Sequence, residues 1–393
     1  MHATRRLLVV AGIWELAMSW ASSFIGAWFW HVHTGILAIV AYYLIWFLVM
    51  GVVFGVGWMR PIRLNHHDLR RGGILVAVLY LGLLALLGPF SRELVWLVAA
   101  LTGLSSGLYW LSLYAGATES VEPESANWYN AWIGILENVF AVLGPPTAAA
   151  VIQGFPAGIG FRVVFGVAMV ILAYAFALSR DHSHRKNLLQ ATEPVPIVLP
   201  QPVWSRLQWG LAALGFRDGL LFFVPGLYLF IVTHSALWLG WYLGLQAGVQ
   251  TLVFWFLARH PRLSSSQGLW WLALSLSVLA GLPFFLVRPA VAIFVLGILV
   301  ALAYPIYKVR IEGFTLTVIQ RASEDASERL RITSLKELWL NLGRMASFLV
   351  LILAIVAFHR IPSTLTGSLV AWPLTTLLVY LSFGQLGMVG TEQ

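Results

Sequence analysis

Apolar runs of about twenty residues follow one another along almost the whole chain, separated by short stretches of Arg, Pro, Gly and Glu. A helix needs roughly 20 apolar residues to cross a hydrocarbon layer about 30 Å thick. On that measure the pattern predicts twelve spanning helices, at 7–29, 35–57, 72–90, 93–117, 131–152, 160–179, 207–232, 235–258, 267–287, 289–309, 336–358 and 363–384. The longest interruption, 180–205, contains the proline-rich segment from Glu193 to Pro202, which reads as a semi-rigid spacer. The chain therefore divides into an N-terminal six-helix half (1–179), a linker (180–205) and a C-terminal six-helix half (206–393). The fold class expected is an all-α polytopic membrane protein.

Composition sharpens this. Of 393 residues, 60% are apolar and 10% charged, whereas a soluble domain carries about 25% charged residues. There is no cysteine, which excludes disulfides and thiolate chemistry. The net charge of +8 is explained without nucleic acid by where the cations lie. Eighteen Lys and Arg fall in connections on one side of the predicted spans and four on the other, with Arg217 and Arg344 inside spans. The positive-inside rule then puts both termini in the cytoplasm, in a cell (inner) membrane. Arg5-Arg6 followed by an apolar stretch resembles a signal peptide, but the stretch is too long and contains Glu15, so a retained first helix is expected.

Charges inside spans carry the candidate chemistry, because each costs roughly 2.5–3.5 kcal/mol at mid-bilayer. Span 7 holds two in a row, in Gly215-Phe216-Arg217-Asp218-Gly219. Glu15, Glu137 and Arg344 lie in other apolar runs, and Gln246 lies on span 8. The two halves also repeat. Gly12-Ile13-Trp14-Glu15 matches Gly215-Phe216-Arg217-Asp218, and Trp132-x-Gly134-x-x-Glu137 matches Trp339-x-Asn341-x-x-Arg344. Tyr109 matches Tyr304, and Arg60-Pro61-Ile62-Arg63 matches Arg259-His260-Pro261-Arg262. Helical spacing puts Asn130, Gly134, Glu137 and Ala141 on one face of span 5, and Glu15, Ser19, Ser22 and Gly26 on one face of span 1. Two readings follow: a central polar cavity lined by spans 1, 5, 7, 8 and 11, or polar contacts that fasten helices together. In the first, Tyr109, Tyr304 and Tyr307 add aromatic walls. Arg217 is then expected to reach across to Glu15 or Glu137 rather than close on Asp218, because neighbouring helical residues point about 100° apart.

The 6+6 layout, the central linker and the loop Gly55-x-x-x-Met59-Arg60-Pro61-Ile62-Arg63 resemble the major facilitator superfamily of secondary transporters. The family loop has Asp and Gly where this chain has Met59 and Ile62. Gly144-Pro145-Pro146-x-Ala148-Ala149 is partly similar to the superfamily's antiporter segment. The resemblance implies alternating-access transport of a small solute, with export favoured. A carboxylate in such a cavity, Glu137, Asp218 or Glu15, can change protonation state with hydration and so couple transport to protons, or it can serve to fix orientation through Arg217 or Arg344. Arg60, Arg63, Arg259 and Arg262 read either as a cytoplasmic gate, paired with Glu119, Glu122 and Glu124 or with Glu324, Asp325 and Glu328, or as solvated positive-inside anchors. Three carboxylates against two arginines lean toward a cationic or zwitterionic solute. No catalytic, nucleotide-binding or metal motif is present, so no enzyme activity, cofactor or metal is expected, and the chain is expected to act as a monomer in the lipid bilayer. The alternative class is a polytopic sensor or lipid-handling protein that moves no soluble solute.

Overall fold

A computed structural model describes residues 2–59, 66–120, 126–156, 158–179, 201–260, 263, 266–322 and 325–384. Among these residues the chain is helical and contains no strand. The long helices are α1 (His2–His31), α2 (Ile36–Met59), α3 (His66–Leu87), α4 (Val95–Ser120), α5 (Ala126–Gly154) and α6 (Ile159–Leu178). They continue as α7 (Gln201–Thr233), α8 (Ala236–Arg259), α9 (Gln267–Leu279), α10 (Pro289–Ala322), α11 (Ala326–Phe358) and α12 (Ile361–Gly384). A 3₁₀ segment, Gly88–Leu94, joins α3 to α4. Nine stretches of the described residues are apolar and long enough to cross a membrane, one of them, 66–116, holding α3 and α4 together.

Several helices outrun the spans that hydrophobicity marks. α3 starts at His66, α7 at Gln201 and α11 at Ala326, and α10 runs on to Ala322. Hydropathy stops at the first charges, but Arg, Lys, Glu and Gln are good helix formers, so the backbone keeps its hydrogen bonds past the apolar run. Pro145, Pro146, Pro225 and Pro305 lie within helices, as spanning helices tolerate. At the opposite ends, α1, α7 and α11 are followed by His33, His234 and His359, each in the left-handed region at φ 59°, 50° and 53°. A residue at positive φ after the last turn stops a helix, a task that glycine usually performs.

The chain forms two compact units: Met1–Ile197 with Ser323–Leu338, and Val198–Ala322 with Trp339–Gln393. The first half of α11 thus groups with the N-terminal helices and its second half with the C-terminal ones. Within the first unit α1 packs on α5 and α6, α2 on α4, and α3 on α4 and α6. Within the second, α7 packs on α12, α8 on α10, and α9 on α10 and α12. Shifting each helix number by six turns most of one set into the other, so the repeat seen in the residues is also a repeat of packing.

Candidate functional site

In the first unit the charged residues sit where α1 and α5 cross. The approach is set at two levels. A Cβ on Gly12 would lie 3.3 Å from the Leu136 side chain, and one on Gly144 would collide with the Ser19 hydroxyl. Glu15 of α1 and Glu137 of α5 fall between these levels, both half-buried. Glu15 lies within electrostatic range of the Glu137 carboxylate. Immediately before Glu15, the Trp14 indole lies flat on the Tyr109 ring of α4, with centroids 3.8 Å apart and planes 8° apart. Both rings are buried. Ser19 and Ser22 share the polar face with Glu15, but their hydroxyls donate to the Leu16 and Met18 carbonyls of their own helix, at 2.9 and 2.7 Å. Asn130 and Gly134 side-chain positions lie outside the described residues.

In the second unit the corresponding helices, α7 and α11, come closer. A Cβ on Gly215 would run into the Leu340 carbonyl, one on Gly343 into the Ala212 carbonyl, and one on Gly219 into the Ser347 hydroxyl. Here backbone meets backbone, which only glycine permits. Next to this crossing Arg217 is wholly buried, at 0% exposure. Its Nη1 donates to Asp218 Oδ1 at 2.8 Å. Its guanidinium carbon lies 4.3 Å from the centroid of the Tyr307 ring of α10. Three residues back, the Tyr304 ring sits edge-on to Tyr307 at 5.5 Å and carries the Lys308 ammonium 5.1 Å away. Arg344 of α11 is half-buried and donates from Nη1 to Asn341 Oδ1 at 3.3 Å. Gln246 is half-buried on α8.

The expectation that Arg217 does not close on Asp218 is therefore corrected. The two Cβ atoms do point apart, but the arginine chain is long enough to fold back. The guanidinium lies over the Tyr307 ring while one of its N–H groups meets the neighbouring carboxylate. A buried guanidinium is less strongly hydrated than an ammonium and suits both partners at once.

Of the gate residues, Arg60, Arg63 and Arg262 lie outside the described residues, as do Glu122, Glu124, Glu324 and the Glu119 side chain. Arg259 lies over Trp255, 4.3 Å from the ring centroid. Asp325 accepts from the Ser327 amide at 3.3 Å and so caps α11. Glu328 pairs with Arg331, Oε2 to Nη1 at 2.6 Å, and Arg331 Nε donates to the Trp58 carbonyl in the last turn of α2 at 3.1 Å. One more polar tie within the first unit joins this part of α11 to α4: Tyr114 donates to Glu337 Oε1 at 3.1 Å, beside Lys336 Nζ at 3.7 Å. Sequence reading missed Arg331 and Tyr114. The i,i+3 spacing of Glu328 and Arg331 was a usable signal, whereas nothing in the sequence ties Tyr114 to Glu337. Among the described residues no group of three His, Asp or Glu is placed to hold a metal ion.

No family model matches the chain. An uncharacterised protein, YqgE of Bacillus subtilis (strain 168), is 24% identical over 354 residues, which is 89% of this chain and 82% of that protein. An uncharacterised protein in the sodM 3′ region of Geobacillus stearothermophilus is 23% identical over 159 residues, 40% of this chain and 74% of its own. Among solved structures, a bacterial homologue of the iron transporter ferroportin in an outward-facing state aligns at TM-score 0.65 and 16% identity, covering 98% of this chain and 100% of that one. The nucleoside transporter NupG aligns at 0.65 and 10%, covering both chains fully. The peptide transporter POT in complex with sulfate aligns at 0.70 and 12%, covering 99% and 95%. The chain has the fold of major-facilitator-type transporters.

Proposed function

We propose that this protein is a secondary active transporter, moving a small solute across the membrane by alternating access with proton coupling. The observation that carries the reading is the pair of half-buried carboxylates, Glu15 and Glu137, within electrostatic range of one another where α1 and α5 cross. Two like charges in a poorly solvated place interact less unfavourably when one takes up a proton, so the pair can exchange a proton as its hydration changes. Asp218 is a weaker candidate, because Arg217 already supplies its counter-charge. In the second unit, Arg344 with Asn341 and the half-exposed Asp218 are the groups assigned to a charged or polar solute, with Gln246 as a hydrogen-bonding partner. The mixture of carboxylates and arginines favours a zwitterionic or cationic solute. Export is the direction favoured by the partial similarity of Gly144–Ala149 of α5 to the antiporter segment of the major facilitator superfamily.

The test begins with thermal-shift screening of purified protein against amino acids, amines, nucleosides and short peptides, since a ligand that binds the folded state raises its melting temperature. A solute that raises it is then tested for counterflow in proteoliposomes. Saturable exchange of labelled for unlabelled solute is the expected result. Binding without exchange would replace the transporter reading with that of a sensor.

A further inference from the structure

Half-way along α8 two primary amides stand one turn apart, and the packing around them leaves them open. Gln246 and Gln250 lie near the middle of this 24-residue helix, at the depth where an unsatisfied polar group is most costly. With Tyr242 and Phe254 they form a single i,i+4 row, so all four point to the same side of α8. Both ends of that row meet α10: the Tyr242 ring lies 5.6 Å from Phe294, and the Phe254 ring 6.4 Å from Tyr304. Leu239 on the same side meets α7, where a Cβ on Gly226 would come to 3.1 Å from it. The glutamines therefore sit in the centre of the side that α8 turns to its own unit. The exposed apolar stripe of Trp238, Trp241, Leu245, Leu252 and Trp255 points about 140° away from them.

The packed side of α8 is closed above and below the glutamines and open at their level. Tyr242 is 3% exposed, and Leu239 and Leu257, two turns outside the pair, are 2% and 3% exposed, whereas Gln246 and Gln250 are only half-buried. Among the described residues neither amide is hydrogen-bonded. Packed against apolar groups alone, their donors and acceptors would stay unsatisfied, whereas an opening at mid-span lets water serve them. Each amide offers two N–H donors, one carbonyl acceptor and no charge. Two of them about 6 Å apart suit a group that both donates and accepts, a hydroxyl or a carboxamide. An alkyl chain in the same place would displace the water and leave both amides unpaired, which is how such a site rejects it.

We propose that Gln246 and Gln250 form a specificity subsite for a neutral, hydroxyl- or carboxamide-bearing part of the solute. It rests on the transporter reading, to which it adds the chemistry of the solute's uncharged part.

The test starts with reactivity, because the chain has no native cysteine. In proteoliposomes, Gln246→Cys and Gln250→Cys should react with a water-soluble methanethiosulfonate, while Leu245→Cys and Leu252→Cys, on the apolar stripe, should not. Binding is then compared in detergent within two pairs matched in size: L-glutamine with L-norleucine, and diethanolamine with dipropylamine. In at least one pair the polar member should raise the melting temperature at a concentration at least about tenfold lower than the apolar member. Gln246→Leu and Gln250→Leu should each remove most of that preference. Neither should lower the melting temperature of the ligand-free protein, since neither amide has a hydrogen bond to lose. Unreactive thiols at 246 and 250, or no preference in either pair, would overturn the proposal. So would a lower ligand-free melting temperature in both leucine variants, which would make the glutamines fastenings between helices. The transporter reading fails on a different result, the absence of counterflow for every solute of the wider screen. Norleucine or dipropylamine exchanging as well as its partner would overturn the subsite and leave that reading standing.

Discussion

The crossing of α1, α4 and α5 in the first unit and that of α7, α10 and α11 in the second are two versions of one arrangement. In each, a planar side chain on the first helix lies on a tyrosine of the fourth: Trp14 on Tyr109, Arg217 on Tyr307. In each, the next residue is a carboxylate, Glu15 or Asp218. What differs is the charge around that carboxylate. In the first unit its planar neighbour is neutral and the charge it senses is another carboxylate, Glu137. In the second its planar neighbour is the counter-ion itself. One exchange, indole for guanidinium, separates a carboxylate whose charged neighbour is another carboxylate from one that is held as half of an ion pair. The shared frame lets the two crossings be probed by matched substitutions.

The largest difference should come from the helix crossings. Gly215→Ala and Gly343→Ala press a methyl into a backbone carbonyl, while Gly12→Ala meets only the movable end of Leu136. The first two should cost roughly 3 kcal/mol or more, as overpacking without room to relax does, and Gly12→Ala should cost under about 1 kcal/mol. Melting temperatures of the purified variants read this directly. Similar losses from all three would mean that the crossings are equally tight.

Next comes the ion pair. Asp218→Asn withdraws the counter-charge from a guanidinium with no exposed surface, and a loss of about 3 kcal/mol is expected, as for other broken buried pairs. Arg217→Ala combined with Asp218→Ala should cost clearly less than the two single changes added together, which a double-mutant cycle on stability measures. Additivity would show that the 2.8 Å contact contributes nothing. The tyrosines follow. Tyr307→Leu should cost about 1–2 kcal/mol through the lost cation–ring contact, with Tyr307→Phe close to wild type. Tyr109→Leu should cost about 1 kcal/mol beyond its lost burial, with Tyr109→Phe again close to wild type. The smallest effect belongs to Ser19→Ala and Ser22→Ala, whose hydroxyls bond their own helix, at under about 0.5 kcal/mol each.

Much of this could be read from the sequence because membrane helices announce themselves. The apolar runs located the helices, and the Gly12–Glu15 and Gly215–Asp218 segments aligned the halves before any packing was known. The aligned positions do occupy matching crossings, with one shift. The ring beneath Arg217 is Tyr307, one turn beyond the Tyr304 that sequence matching paired with Tyr109. Register of that kind depends on how helices slide past one another, which spacing along one helix does not encode. The direction of Arg217 was misread for a related reason. Cβ vectors follow from helix geometry, but where a four-bond side chain ends depends on the surface beneath it, and the Tyr307 ring comes from a helix about ninety residues away in sequence. The Glu328–Arg331 pair was hidden because α11 continues as helix ahead of the expected span 336–358, whereas the Tyr114–Glu337 contact joins two spans and nothing along either one marks it.

The like-charged pair of the first unit, rather than the ion pair of the second, is the proposed site of proton coupling. It is tested most directly in proteoliposomes carrying Glu137→Gln, with the solute that gives counterflow in the wild type. Counterflow and pH-gradient-driven accumulation are measured on the same preparation. Counterflow should persist within a few-fold while gradient-driven accumulation falls to the level set by equilibration. Accumulation that responds to the pH gradient as in the wild type would contradict it.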